Sequence, residues 1–219
     1  GACRDRVPVY ASSLVLESPE AYARQARALK ERGWAAYKLH PPGDVAFDLA
    51  VYRACREAVG EGFTLMADPV AAYNHEQALR VGRELERLGY HWFEEPLFDV
   101  DFGGLRELAR ALDIPICGTE VVPGSHYSAA ECIASRVVDI VRTDVSWKGG
   151  ITLELVNLHC AAAIANCEFF ELLEPTSHFA FGLKKPIRIE DGHAVLPTAP
   201  GLGLDLDWDV IERCTFEVL

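Results

Sequence analysis

Three acidic residues, Asp68, Glu94 and Glu120, stand 26 residues apart, each closing a short apolar run just ahead of a loop. The runs occupy 63–67, 90–93 and 114–119. Short β-branched and aromatic stretches separated by helical patterns of about 10 to 15 residues read as βα units of a parallel sheet. One such interval is a strand plus a helix, so the three carboxylates project from successive strands toward one point. In a (β/α)8 barrel the C-terminal strand ends form the active-site face. Acids converging there, with no basic residue beside them in sequence, repel one another unless a cation or protons neutralise them. An all-oxygen set favours Mg2+, with Mn2+ possible.

The rest of the chain repeats the unit. The pattern predicts a first strand over 7–11, then a helix over 19–31 with Ser18 as N-cap and Gly33 as its stop. A second strand over 35–39 carries Lys38 and leads to His40 and a Pro-Pro-Gly loop. Helices are expected near 47–59, 76–88, 104–112 and 128–135, with a sixth strand over 138–142 ending near Asp144. The repeat then breaks: 151–165 reads as one helix and 167–171 as the next strand. Seven strands result, and a parallel barrel short of one strand leaves edges unpaired. The fold class is therefore α/β, a (β/α)7-8 TIM-type barrel over 1–183. One βα unit, strand 7, of roughly 20 to 25 residues is expected to be missing between about 152 and 153. Residues 184–219 read as a hairpin and irregular loop.

Composition narrows the function classes. With 50% hydrophobic residues and 25% charged, the 219-residue chain can bury a substantial core. A net charge of −12, with no basic stripe, argues against nucleic acid or an anionic membrane as partner. No segment reaches the roughly 18 apolar residues of a membrane span, and no signal peptide opens the sequence. The seven cysteines are odd in number and lack metal-ligand spacing, which reads as reduced thiols in a cytoplasmic protein. The chain starts at Gly1 and holds one methionine, Met66, so it reads as part of a longer protein.

Several motifs stand in one order: Tyr37-Lys38-Leu39-His40, Asp68, Trp92-Phe93-Glu94-Glu95-Pro96, Gly118-Thr119-Glu120, Asp144 through Gly149-Gly150, Asn166 through Glu171, and Pro200-Gly201-Leu202-Gly203. In that order they resemble the barrel domain of the enolase superfamily, mandelate racemase subgroup. The resemblance implies that Asp68, Glu94 and Glu120 bind Mg2+. The metal would hold a substrate carboxylate and stabilise the enediolate formed when a base removes the α-proton. It implies one base at the end of the second strand, where His40 could act as base or acid and Lys38 would neutralise the substrate carboxylate or tune its neighbour, and another, a His on strand 7, held by Asp144. Glu171 matches an acid that contacts the substrate. The usual Lys-x-Lys pattern is altered here by His40, and Val70 stands where the family often has Asn.

These implications point to a Mg2+-dependent dehydratase of an acid sugar, acting on a small-molecule carboxylate. The alternatives are a racemase or epimerase of a 2-hydroxy acid, and a barrel that has lost chemistry and serves as a binding subunit. A metal-dependent hydrolase fits less well, since His is scarce at the strand ends. The resemblance further implies a homo-oligomer, and an N-terminal capping domain against which 184–219 would pack. Which acid is the substrate is not legible. Glu95 is expected to point away from Glu94 and make a structural ion pair.

Overall fold

The strands and helices alternate as the repeat requires. The structure, a computed structural model, describes residues 3–143, 154–178, 180 and 182–214. Its elements are β1 (Arg6–Ser12), α1 (Pro19–Glu31), β2 (Ala36–Leu39), α2 (Val45–Val59), β3 (Thr64–Ala67), α3 (His75–Arg87), β4 (Phe93–Glu94) and α4 (Phe102–Ala111). These are followed by β5 (Ile116–Gly118), α5 (Ser125–Ala134), β6 (Ile140–Val141), α6 (Glu154–Ala163), β7 (Phe170–Leu173), β8 (Arg188–Glu190), β9 (His193–Val195) and α7 (Trp208–Cys214). Local chemistry sets the helix starts. The Ser18 hydroxyl accepts the Ala21 N–H, the Asp44 carboxylate accepts the Phe47 N–H, and Asn74 with Gln77 forms a reciprocal capping box.

Strands β1 to β6 pair in sequence order, all parallel, and β7 returns to pair in parallel with β1. Among the described residues β6 pairs with β5 and β7 with β1, and the two do not pair with each other. The expected break near 152 and 153, like Asp144, lies outside the described residues. No described helix is long and apolar enough to cross a membrane.

Two apolar layers flank the sheet. The larger packs α1 to α4 and α6 against its outer face through residues such as Tyr22, Leu29, Tyr52, Val81, Leu85, Leu108 and Leu158. The smaller lies inside the barrel: Tyr10, Ala36, Met66, Trp92 and Cys117, with Ile140 and Phe169 against them. Its rings meet edge to face, Tyr10 to Trp92 at 5.6 Å and Trp92 to Phe169 at 6.0 Å between centroids.

Some boundaries depart from the sequence reading. The sixth strand shrinks from 138–142 to Ile140–Val141, and the last parallel strand starts at Phe170 rather than 167 because the Cys167 N–H turns back to the Ile164 carbonyl. The tail is more ordered than an irregular loop. β8 and β9 form the expected hairpin, β9 pairs antiparallel with the first half of β1, and α7 follows. Gly192, at φ +71, brings this hairpin against the backbone of Gly33 and Ala35, where an added Cβ would lie 3.1 Å from the Gly33 carbonyl oxygen.

Candidate active site

Side chains alternate across a strand, so residues two positions beyond the interior apolar layer also face inward. Counting two on from Tyr10, Ala36, Met66, Trp92, Cys117, Ile140 and Phe169 gives Ser12, Lys38, Asp68, Glu94, Thr119, Arg142 and Glu171. That second layer, at the C-terminal strand ends, is polar and largely buried: Lys38 is 1% exposed, Glu94 0% and Asp68 4%.

Lys38 lies at its centre. Its Nζ stands 2.8 Å from Glu94 Oε1, 3.1 Å from Asp68 Oδ2 and 3.1 Å from Glu171 Oε1, with the Tyr10 ring 5.5 Å below. Burial opposes the charge, but the carboxylates, Glu171 and Glu94 foremost, outweigh it and hold the ammonium well above the usual lysine range. Lys38 is a fixed cation in this arrangement, not a base.

His40 follows β2 and bridges two acceptors. Nε2 lies 2.9 Å from Asp68 Oδ2, and Nδ1 lies 2.8 Å from the Ser13 carbonyl oxygen. A carbonyl and a carboxylate both accept, so each ring nitrogen carries a proton here and the imidazole is cationic. Burial lowers its pKa, yet the hydrogen bond to Asp68 and that carboxylate's charge raise it overall. The same contacts act on Asp68: burial pushes it up, Lys38 and His40 pull it down further, and it settles at about 2.

Glu94 accepts from Trp92 Nε1 at 2.9 Å through its second oxygen. Glu120 stands beyond β5, after Thr119 at φ +81, and burial raises its pKa although the Arg142 charge opposes this. Glu171 lies on β7; burial would raise its pKa, but Lys38 and Arg142 hold it well below the usual range. The structure thus brings together Lys38, His40, Asp68, Glu94, Glu120 and Glu171. Left-handed backbone at Val70 (φ +52), Ala71 (+58), Glu95 (+40) and Thr119 (+81) gathers in the loops behind β3, β4 and β5, as strain does near functional sites.

Two findings depart from the sequence reading. Among the described residues Glu95 makes no ion pair of the expected kind; its Oε1 accepts the Glu120 N–H at 3.1 Å, and burial, then Asp99 and the neighbouring carboxylates, push its pKa up to about 8. The other is Arg142, which follows β6 and received no role. Its Nε lies 3.2 Å from Glu94 Oε1, its NH2 3.3 Å from Glu120 Oε1, and NH2 also pairs with Glu171. Parity carried the signal: Arg142 stands two residues beyond Ile140 as Lys38 stands two beyond Ala36.

Among the described residues no three acidic, His or Cys groups stand at metal-holding spacing, because Lys38 and Arg142 lie between the carboxylates. The donor chemistry nonetheless fits a hard divalent cation. Asp68, Glu94, Glu120 and Glu171 outnumber the two permanent cations, all four offer oxygen, and the cluster is buried. A cavity of about 770 Å³ opens beside it, lined by Lys38, His40, Glu120, Arg142 and Glu171 among others.

Comparison with known proteins agrees with this layout. The family model described as enolase C-terminal domain-like matches residues 21–155 and 153–210. The chain is 35% identical to arabinonate dehydratase of Saccharolobus solfataricus over 76% of its length and 51% of the relative's. It is 30% identical to L-talarate/galactarate dehydratase of Salmonella typhimurium over 94% of its length and 56% of the relative's. The crystal structure of D-glucarate dehydratase from Agrobacterium tumefaciens, complexed with magnesium, superimposes with a TM-score of 0.90 at 34% identity, covering 97% of this chain and 66% of that one. The chain thus spans about half to two thirds of the length of the proteins it matches. With its parallel barrel, its acids at the strand ends and these matches, the chain belongs to the enolase superfamily, in its mandelate racemase and muconate lactonizing enzyme subgroup.

Proposed function

We propose that this barrel belongs to a Mg2+-dependent enzyme that removes the proton α to a carboxylate through an enediolate, and that it dehydrates an acid sugar. The observation carrying this is the buried cluster in which Lys38 and His40, both charged, face Asp68, Glu94 and Glu171 at the strand ends. Asp68, Glu94 and Glu120 are the residues that would hold the metal, with Mn2+ a possible substitute. Bound there, the ion supplies positive charge that lowers the cost of forming the enediolate.

The chain's own groups account for the rest. Lys38 meets the substrate carboxylate as a fixed positive charge. His40 transfers protons at Nε2 while Nδ1–H, anchored on the Ser13 carbonyl, fixes the ring. Glu171, ionised between Lys38 and Arg142, accepts a hydrogen bond from a substrate hydroxyl. In the elimination the α C–H bond breaks first, its proton passing to the His expected on strand 7 and its electron pair to the carboxylate, while the protonated His40 serves as the acid. The β C–O bond then breaks as its oxygen takes a proton, and the enol so formed becomes a 2-keto-3-deoxy acid. The names of the arabinonate, talarate/galactarate and D-glucarate dehydratases support this substrate class.

The absent βα unit between about 152 and 153 belongs to the same proposal. It is supported by β6 and β7 not pairing with each other among the described residues and by the family match, which divides into two stretches meeting at 153–155. That unit would carry the His that Asp144 holds in the family. That His would accept the α-proton, since His40 is already protonated, His159 bonds toward the Leu202 carbonyl and His193 toward that of Asp191. The tail's α7, which buries no residue and leaves Trp208 60% exposed, fits packing against a capping domain. Assembly as a homo-oligomer and a cytoplasmic location complete the proposal.

A second reading, a binding subunit without turnover, is favoured by that same missing pairing among the described residues. The full-length parent protein incubated with Mg2+ and a panel of acid sugars in D2O separates the readings. Keto-acid formation that His40→Asn abolishes supports the dehydratase. Deuterium uptake at the α-carbon with inverted product and no water loss makes it a racemase or epimerase, as the similarity to an N-succinylamino acid racemase would allow. Neither signal, with acid sugars still binding, supports the binding subunit.

A further inference from the structure

We infer that Arg142 is a built-in cation of the carboxylate cluster that a divalent metal must displace before it can bind. This rests on the assignment of Asp68, Glu94 and Glu120 as the metal-holding set. The guanidinium reaches two of those three acids, Glu94 at 3.2 Å and Glu120 at 3.3 Å, and pairs with Glu171 as well. Glu94 Oε1 also receives Lys38 Nζ at 2.8 Å, and Glu94 Oε2 receives the Trp92 indole N–H. Both oxygens of Glu94 are therefore committed to cations or donors, and among the described residues the cation paired with Glu120 is Arg142.

A hard cation binds these acids only through direct oxygen contacts, about 2.0–2.1 Å for Mg2+. A guanidinium at 3.2–3.3 Å from Glu94 and Glu120 occupies the space between them. The two cations cannot share that space, by size and by repulsion. Arg142 follows β6, a two-residue strand that among the described residues pairs with β5 alone, and its side chain remains 18% exposed toward the cavity. It has an exit that Lys38, enclosed at 1%, lacks. Lys38 is thus the permanent counter-ion and Arg142 the replaceable one. Arg142 keeps the cluster neutral enough to stay folded without metal, and each metal ion bound releases a guanidinium toward the substrate cavity.

Isothermal titration of Mg2+ into the chelator-stripped chain tests this, comparing the parent with Arg142→Gln and Arg142→Lys. Displacement predicts that R142Q binds Mg2+ at least about tenfold more tightly, the worth of one charge-assisted hydrogen bond no longer broken. R142K, which keeps the charge but lacks the fork that spans several acids, falls between the two. If R142K matches the parent, the effect is general electrostatics and the inference fails. If R142Q binds no more tightly than the parent, it fails as well, while the metal site stands. If neither parent nor variants bind Mg2+, the metal assignment itself falls and takes the inference with it. Thermal unfolding gives a second readout: R142Q should melt lower than the parent in chelator and gain more from the same Mg2+ concentration. An equal or smaller gain overturns the inference.

Discussion

Replacing Lys38 by Met removes one charge from the middle of the cluster while keeping an unbranched apolar stem. In the folded chain Nζ serves Asp68, Glu94 and Glu171 at 3.1, 2.8 and 3.1 Å, with the side chain 1% exposed. Their carboxylates would be left facing one another in a largely buried site, with only Arg142 and His40 to offset them. Removing one partner from a buried ion pair costs about 3–5 kcal/mol, because the uncompensated charge stays buried. For a chain of this size each kcal/mol shifts the melting temperature by about 2–4 °C, so the midpoint should fall by roughly 6 to 20 °C. Calorimetry or circular dichroism in chelator at pH 7 measures it, and saturating Mg2+ should narrow the gap by supplying a replacement cation. A loss under about 1 kcal/mol would refute the picture of Lys38 as the charge that three buried acids share.

Two further perturbations test other parts of the structure. Asp48, on α2, accepts from the Tyr73 hydroxyl, while its Oδ1 finds no partner among the described residues, and burial raises its pKa to about 6 despite that hydrogen bond. A folded-state pKa above the unfolded value contributes stability below about pH 4 that is lost as pH rises through about 6. Asp48→Asn should remove this dependence and gain on the parent by up to about 2–3 kcal/mol between pH 4 and 7 in urea unfolding; parallel curves would show that Asp48 stays ionised in the fold. Gly43→Ala, in the loop after β2, places a methyl 2.4 Å from Ala72 Cβ at φ +90 and should cost more than about 1 kcal/mol, whereas an unchanged urea midpoint would mean that this loop relaxes freely.

The sequence carried the repeat well because each unit has redundant signals. α1 is marked by Ser18, Pro19 and its apolar stripe, and its ends match the expectation of 19–31. The carboxylates at the ends of β3 and β4 were legible because an acid closing an apolar run is unusual and the interval recurs. Weak elements fared worse. β6 is two residues long and held by one neighbour among the described residues, so propensity over 138–142 overstated it. α7 has no buried face to imprint a period on its sequence. Arg142 escaped notice because Arg at a strand end is ordinary, and only its place two residues beyond an inward-facing Ile140 marks it as interior.

The sequence alone determined the βα alternation, the family and the identity of the acids, since these depend on local periodicity and on motifs in order along one chain. Tertiary structure decided the charge balance. Lys38 comes from β2, Glu94 from β4, Arg142 from beyond β6 and Glu171 from β7, and strand pairing sets their distances. Which acid meets which cation, and which nitrogens of His40 face acceptors, follow from burial and separation in space, where a few ångströms decide an electrostatic energy that spacing along the chain does not encode.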